Sequence, residues 1–368
     1  MTRTLPDTIL MTTDTVGGVW TYSLELCTSL QQFDIQVCLA TMGDHLSSSQ
    51  WKSTKKISNL VIEESDYALE WMDDPWKEVD EAGQWLMELE RKIEPDLIHL
   101  NNYAHGALPW NAPVLMVGHS CVLSWWKATR QEDAPEKWNT YAARVKEGLK
   151  HADYIVAVSY SLLDQMNGLY GPFSQCKCIY NARDAGDFYT GRKKDMIFSM
   201  GRLWDEAKNI ASLCENSSRF SWPVYVAGAG DIPSESGNVT FLGPLTQPEV
   251  AEWLSRARIY VMPARYEPFG LSVLEAALSG CALVLGDLRT LREVWGSAAL
   301  YADPDDPEEL RRRIQSLIQN PSLRRLMTRK AGEKARSYSP RRFAGRYADL
   351  YRELTTAGRN ERLKKATL

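Results

Sequence analysis

Residues 258–280 read RIYVMPARYEPFGLSVLEAALSG. Of the first seven, those after Arg258 are apolar and rich in β-formers, as a buried strand requires, whereas LSVLEAALSG places its apolar residues at helical spacing. The helix is expected to begin around Gly270 or Leu271 and to stop at Gly280, a residue suited to the position just beyond a helix end. A strand feeding a helix through a short loop is the repeating half of a βαβ unit. The loop also carries chemistry. The helix start turns the amides of Gly270 and Leu271 toward an anion, and Gly270 removes the side chain that would block its approach. Glu267, before the turn, can reach a sugar hydroxyl; Glu275, one turn into the helix, can accept hydrogen bonds from a vicinal diol such as a ribose. Helix capping explains one acid near a helix start, but not two acids on either side of an anion-binding turn.

The same strand-then-helix alternation runs outward in both directions. In the first half TILMTTD, IQVCLATMG, LVIEES, DLIHLNN, PVLMVGHS and YIVAVS are short and β-rich. Amphipathic segments such as WTYSLELCTSLQQ, EVDEAGQWLMELERKI and KWNTYAARVKEGLKHA separate several of them. In the second half DMIFSMG, PVYVAG, NVTFLG, RIYVMPA, ALVLGD and ALYADP alternate with helical stretches including TQPEVAEWLSRA. This pattern predicts an α/β protein with parallel, doubly wound sheets: two Rossmann-like domains facing across a cleft. The polar segment NARDAGDFYTGRKKD, residues 181–195, marks the boundary, giving domains over 1–182 and 183–340 and a last helix over 341–368 that crosses back onto the first. Ligands of such sheets bind beyond the carboxyl ends of the strands, so functional motifs should follow strands directly.

Composition agrees with a globular enzyme or binder and excludes several classes. A length of 368 residues exceeds what one core usually organises, and 44% hydrophobic with 24% charged residues is ordinary for a soluble domain pair. No window holds the roughly 18 consecutive apolar residues of a membrane span. The amino-terminal MTRTLPDTILMTTD interrupts its apolar run at Pro6 and Asp7 and does not resemble a cleaved leader, so a cytoplasmic location is expected. A net charge of −4 gives no global attraction to nucleic acid, and anionic ligands need local pockets. The 7 cysteines are odd in number and form no CxxC pair, which argues against both a zinc site and a disulfide framework. Cys176 and Cys178 share one face of a strand as core residues. The sequence does not bear on oligomeric state.

Further candidates follow strands, as expected. Gly17 and Gly18 in TTDTVGGVWTYSLEL lie between the first strand and the first helix, where backbone amides can approach negative charge. The dinucleotide fingerprint GxGxxG is absent, which argues against hydride transfer. In SMGRLWDEAKNI, residues 199–210, Arg202 and Lys208 span a short loop on which both cations can converge on one diphosphate, Arg as a planar fork and Lys as a point charge. DPDD, residues 303–306, opens a helix, where capping is the better explanation than metal binding. His119 ends the PVLMVGHS strand, and His99, Asn101 and His105 lie on and after DLIHLNN. Nine of the 13 tryptophans precede residue 140; Trp125 and Trp126 are candidates to stack on an acceptor, while Trp71, Trp76 and Trp85 read as core. Trp51 with Lys52, Lys55 and Lys56 forms a cluster suited to peripheral membrane contact if the acceptor is lipid-linked, a solvated loop being the simpler account.

These motifs together resemble a known family. EPFGLSVLE is similar to the E-x7-E pattern of the retaining GT-B glycosyltransferases of family four, the group 1 glycosyltransferases. GGVWTY, VGHS, GRL with the later KN, FLGPLTQPEV and TLREVWGSAALYADPDD match that family in order along most of the chain. The resemblance implies a nucleotide-sugar donor held mainly by the second domain and an acceptor held mainly by the first. By position, Arg202 and Lys208 correspond to the diphosphate-binding pair, Glu275 to the ribose acid and Glu267 to the residue that contacts the donor sugar. His119 corresponds to the cleft histidine near that sugar. Gly17, Gly18, Phe269, Gly270 and Leu271 complete the donor set, and Asn101, Trp125 and Trp126 are assigned to the acceptor side. The chain departs from the pattern where many members carry a Gly-Gly-x-Pro-Glu loop: here GDLRTLREV keeps Glu293 without the glycines and proline.

The implied reaction is transfer of a hexose with retention, from a UDP- or GDP-sugar with UDP-glucose favoured, to a saccharide, glycolipid or small-molecule hydroxyl. Front-face attack lets the leaving diphosphate take the acceptor proton while Arg202, Lys208 and the helix terminus stabilise its charge, a task that needs no metal or other cofactor. Glu267 and Glu275 do not read as a hydrolase pair, since neither has a water-activating partner. A non-catalytic nucleotide-sugar-binding subunit or regulator is the alternative; a GT-B epimerase is disfavoured because its acid–base residues are not recognisable.

Overall fold

A computed structural model describes residues 5–230 and 238–366, with side chains through Thr356 in the final helix. The first four residues of the amino-terminal segment and the last two of the expected crossing helix lie outside this range. The chain divides into two compact units. Unit 1 holds Met1–Ser124, Asp133–Asn181 and Pro340–Leu368; unit 2 holds Trp125–Glu132 and Ala182–Ser339.

Unit 1 contains β1 (Thr8–Asp14), β2 (Gln36–Met42), β3 (Leu60–Glu64), β4 (Leu97–Leu100), β5 (Val114–Gly118), β6 (Tyr154–Ala157) and β7 (Cys176–Cys178). They form one sheet in the order β3-β2-β1-β4-β5-β6-β7, and every neighbouring pair is parallel. Unit 2 contains β8 (Lys194–Met200), β9 (Val224–Ala227), β10 (Val239–Phe241), β11 (Ala257–Met262), β12 (Ala282–Gly286) and β13 (Leu300–Ala302). Its sheet runs β10-β9-β8-β11-β12-β13, again all parallel. Strand order reverses between β1 and β4 in one sheet and between β8 and β11 in the other, so each has a topological switch point at which loops diverge and leave room for a ligand.

Burial explains why the strands are short apolar runs. The five inner residues of β1 and all of β5 and β12 are buried, as central strands covered by helices on both faces must be. In unit 2, Ile197, Val226, Ile259 and Val284 pack with Leu213, Leu310, Ile314 and Leu317 from the flanking helices. Cys178 is buried and Cys176 half-buried at the edge of the unit 1 sheet, and all seven cysteines are free thiols. No helix among the described residues is long and apolar enough to cross a membrane. Trp51, in the helix Ser48–Thr54, is one of the exposed large apolar side chains.

The helix Pro340–Ala366 packs within unit 1 and closes its core with aromatic side chains at helical spacing. Phe343 and Tyr347 meet edge to face at 5.2 Å. Tyr22 donates its hydroxyl hydrogen to Tyr347 Oη at 2.7 Å and lies 3.2 Å from His99 Nε2, while His99 Nδ1 lies 2.7 Å from Tyr351 Oη. Because the Tyr22 hydrogen is committed to Tyr347, His99 Nε2–H donates to Tyr22, and Nδ1 accepts from Tyr351. The imidazole is fully buried, and burial, reinforced by nearby His119, pulls its pKa down to about 3. The unfolded chain therefore binds a proton that the folded chain refuses over the window from about pH 6.5 to about pH 3. This contribution to stability is complete above pH 6.5 and is lost as pH falls through the window, with a limiting slope of about 1.4 kcal/mol per pH unit. We predict that the denaturant midpoint falls between pH 7.5 and pH 5 and that His99→Gln shows a shallower fall; equal slopes in the two proteins would refute the assignment.

Candidate functional site

In unit 2 the loops after β8 and β11 flank the switch point. The loop after β8 is shaped by Asp205, which caps the short turn Glu206–Lys208 through the Ala207 amide at 3.1 Å. Asp205 also accepts from Arg202 Nη2 at 2.7 Å and from the Trp125 indole at 3.0 Å. Burial alone would raise the Asp205 pKa, but Arg202, Lys208 and Trp125 outweigh it and hold the carboxyl below its usual range. Arg202 is thereby aimed, its guanidinium stacking on Trp204 at 5.1 Å, while its inaccessible Nε has no hydrogen-bond partner among the described residues. The Lys208 side chain runs back across Gly201, next to Arg202. Asn209, at φ 53°, then donates to the Pro263 and Pro304 carbonyls at 2.9 Å each and pins this loop to those after β11 and β13.

The loop after β11 supplies the partner groups. Glu267 Oε2 pairs with Lys208 Nζ at 2.8 Å, and Oε1 accepts from the Gly270 amide at 3.0 Å. Gly270 precedes the helix Leu271–Leu278 at φ 87°, a left-handed backbone that an L side chain adopts only under strain. Of the two amides expected to meet an anion, that of Gly270 is therefore engaged by Glu267. Phe269 is 2% exposed and packs edge-on against Tyr338 at 5.6 Å, so its ring belongs to the core and its backbone is what borders the turn. Glu275 is buried and forms an ion pair with Arg183 at 3.0 Å. Burial raises its pKa and Arg183 opposes that shift.

The segment that departs from the family pattern forms the helix Arg289–Trp295, which includes Glu293. Thr290 donates to the Glu267 carbonyl at 2.6 Å, and Asp287 pairs with Arg292 through two contacts, one of them 2.6 Å. Thr290 thus braces the Glu267 turn with one side-chain bond in the segment where the family pattern has glycines. Asp306 caps the helix Pro307–Gln319 through the Glu309 amide at 2.9 Å, the structural role expected for DPDD.

In unit 1 a pocket at the carboxyl ends of β1, β4 and β5 is lined by residues including Thr12, Asp14, Glu70, Asn101, Asn102 and His119. His119 Nε2 lies 2.8 Å from Asn101 Oδ1, and burial pulls the imidazole pKa down to about 3. Asn101, assigned to the acceptor side, turns its amide group to His119 and to the Thr12 carbonyl. His99 and His105 are buried, and His105 is hydrogen-bonded to Asn102 and to the Val79 carbonyl. Gly17 and Gly18 are exposed at the start of the helix Gly18–Leu30. Trp125 groups with unit 2 through Asp205, and Trp126 lies edge to face with it at 5.7 Å. Sequence reasoning missed four supporting residues. Asp205 had a detectable signal, an Asp opening a short polar turn. Thr290, Arg183 and Glu70 had none. Glu70 is buried on the Tyr103 and Ala104 amides, and burial lifts its pKa to about 7 despite those hydrogen bonds.

Residues 16–186 match the model of glycosyltransferase family 4, and residues 194–320 that of the glycosyl transferases group 1. The chain belongs to these glycosyltransferases. The O-antigen chain mannosyltransferase RfbU of Salmonella typhimurium is 28% identical over 192 residues, 48% of this chain. The match spans 54% of that relative's length, about half. Among solved structures, sucrose-phosphate synthase from Thermosynechococcus elongatus superposes with a TM-score of 0.81 at 19% identity, over 95% of this chain and 100% of that one. Anabaena HepE in complex with UDP-glucose superposes with a TM-score of 0.75 at 13% identity, over 94% and 100%. The two parallel sheets with their covering helices are those of the GT-B glycosyltransferase fold.

For this glycosyltransferase-family chain the Gly270 turn offers a direct stability test. A Cβ at position 270 would lie 3.0 Å from Val273 Cγ2 on a backbone already at positive φ. Gly270→Ala should destabilise the protein by about 1–2 kcal/mol, read from denaturant unfolding; an unchanged midpoint would show that the turn tolerates a side chain.

Proposed function

We propose that the protein transfers a hexose, with retention, from a nucleoside-diphosphate sugar to a hydroxyl of a saccharide, glycolipid or small-molecule acceptor, without a metal. The observation that carries this reading is the grouping in unit 2 of Arg202 and Lys208 with the Glu267–Gly270 turn, each cation oriented by its own carboxylate. A diphosphate is the ligand whose charge suits two adjacent cations, one of them a planar fork. Glu275, fixed by Arg183, then accepts from a ribose diol, and Glu267 from a hydroxyl of the transferred sugar. A UDP-glucose-like donor is favoured, in keeping with the UDP-glucose complex of the HepE structure; the mannosyltransferase relative makes GDP-mannose the competing donor.

In the proposed reaction the bond from the anomeric carbon to the β-phosphate oxygen breaks as the acceptor oxygen bonds to that carbon on the same face. The acceptor proton passes to the departing phosphate oxygen. Arg202 and Lys208 stabilise the charge that develops on the diphosphate, which is largest in the transition state. His119, held neutral, hydrogen-bonds a hydroxyl of the hexose and contributes orientation rather than proton transfer.

Incubation with labelled UDP-glucose and GDP-mannose, with acceptor mixtures and in the presence of EDTA, tests the activity. Slow hydrolysis or transfer from one donor, unaffected by the chelator, is expected. Binding without turnover would favour a non-catalytic nucleotide-sugar-binding subunit, and loss of activity with EDTA would overturn the metal-free mechanism. Lys208→Met, checked for an unchanged near-UV circular dichroism spectrum, should lower kcat/KM by about 100-fold or more. His119→Ala should reduce kcat much more than it weakens UDP binding; retained kcat would remove His119 from the site.

A further inference from the structure

His119 is gripped in a way that determines which of its nitrogens bears hydrogen. Its Nε2 lies 2.8 Å from Asn101 Oδ1. The other end of that amide, Asn101 Nδ2, lies 2.7 Å from the Thr12 carbonyl oxygen, a group that can only accept. The amide is therefore oriented with its oxygen toward the imidazole, and an amide oxygen also only accepts. Nε2 must carry the hydrogen. The neutral ring has one N–H, which leaves a lone pair on Nδ1.

The surrounding groups hold this arrangement. Thr12 is fully buried in β1, and its hydroxyl oxygen accepts from the Asn101 backbone amide at 2.9 Å, so Asn101 is fixed by backbone and side chain together. Tyr22 packs edge to face on the imidazole with ring centroids 4.4 Å apart, and Tyr22 is itself tied to Tyr347 and His99. A ring flip would place the carbon Cε1 where Nε2 stands and leave the Asn101 oxygen without its N–H donor. Burial keeps the ring neutral through the physiological range, so Nδ1 is not protonated there.

We propose that Asn101 is a positioning residue that locks His119 in its Nε2–H form, so that Nδ1 accepts a hydrogen bond from a hydroxyl of the hexose. This rests on the proposed sugar-binding role of His119. It adds a polarity to that contact: the site demands a hydrogen-bond donor at one sugar position and rejects a group that can only accept. Asn101→Asp reverses the logic, because a carboxylate beside Nε2 favours the imidazolium and turns Nδ1 into a donor.

The experiment has two arms. Long-range proton–nitrogen correlation spectra of the full chain with labelled histidine, with the His119 signals identified from His119→Gln, should show a protonated Nε2 and an unprotonated Nδ1 at pH 7.5. An Nδ1–H tautomer or an imidazolium overturns the proposal whatever the activity of the protein. Asn101→Asp should raise the His119 pKa by at least one unit in the same spectra, and an unmoved titration also overturns it. In the second arm, UDP-glucose derivatives carrying fluorine in place of one hydroxyl at a time are assayed for hydrolysis. One position should lose turnover at least tenfold in the wild type, and this penalty should vanish in His119→Ala. Turnover indifferent to fluorine at every position overturns the acceptor role of Nδ1. Absence of UDP-glucose turnover in the wild type counts against the proposed donor, and the spectra then decide the Asn101 assignment alone.

Discussion

Glu267 joins the two halves of the unit 2 site. One carboxylate oxygen holds Lys208 and the other holds the amide that opens the helix Leu271–Leu278, so a cation from one loop and a backbone dipole from the next are kept in register by a single side chain. Both charged groups of the Lys208 pair are less than a fifth exposed, which strengthens their attraction and raises the cost of leaving either alone. Thr290 secures the Glu267 backbone, and Asn209 ties the Lys208 loop to its neighbours. Preorganisation of this kind matters in a site whose task is to meet negative charge, because little reorganisation is left to do when the charge arrives.

Three acid–base pairs recur around this loop cluster, and burial separates their characters. Arg202 with Asp205 is buried only at the carboxylate, which leaves the guanidinium partly accessible. Arg183 with Glu275 is buried at both ends, with side-chain exposures of 4% and 10%, and suits a positioning contact better than a mobile one. Lys208 with Glu267 lies between these extremes. The carboxylates do not cancel the cations, since each pair is directional and leaves further donor hydrogens to be satisfied.

The alternating pattern of RIYVMPA and LSVLEAALSG and its repeats was sufficient to predict parallel sheets, because strands buried on both faces must be short apolar runs and their connections must be helical. The positions after strands were equally legible, which is why Arg202, Lys208, Glu267, Gly270 and His119 all fall at carboxyl ends. Local sequence could not reveal the partners those residues choose. Arg183 reaches Glu275 across many intervening residues, and Glu70 reaches the Tyr103 and Ala104 amides from another loop. Such pairings depend on where the fold brings separate segments. Phe269 and Trp125 illustrate the same limit, since residue type alone does not distinguish a ring packed on Tyr338 or an indole bonded to Asp205 from one facing a ligand.

The helix Pro340–Ala366 follows unit 2 in the sequence and yet belongs to the unit that is started first. As the polypeptide leaves the ribosome, Tyr22 and His99 emerge long before Tyr347 and Tyr351, the hydroxyls they bond in the finished core. The earlier unit therefore stays incomplete, with polar groups on Tyr22 and His99 still hydrated, until the whole later unit has been synthesised. The core of unit 1 can therefore be completed only after unit 2 has been translated.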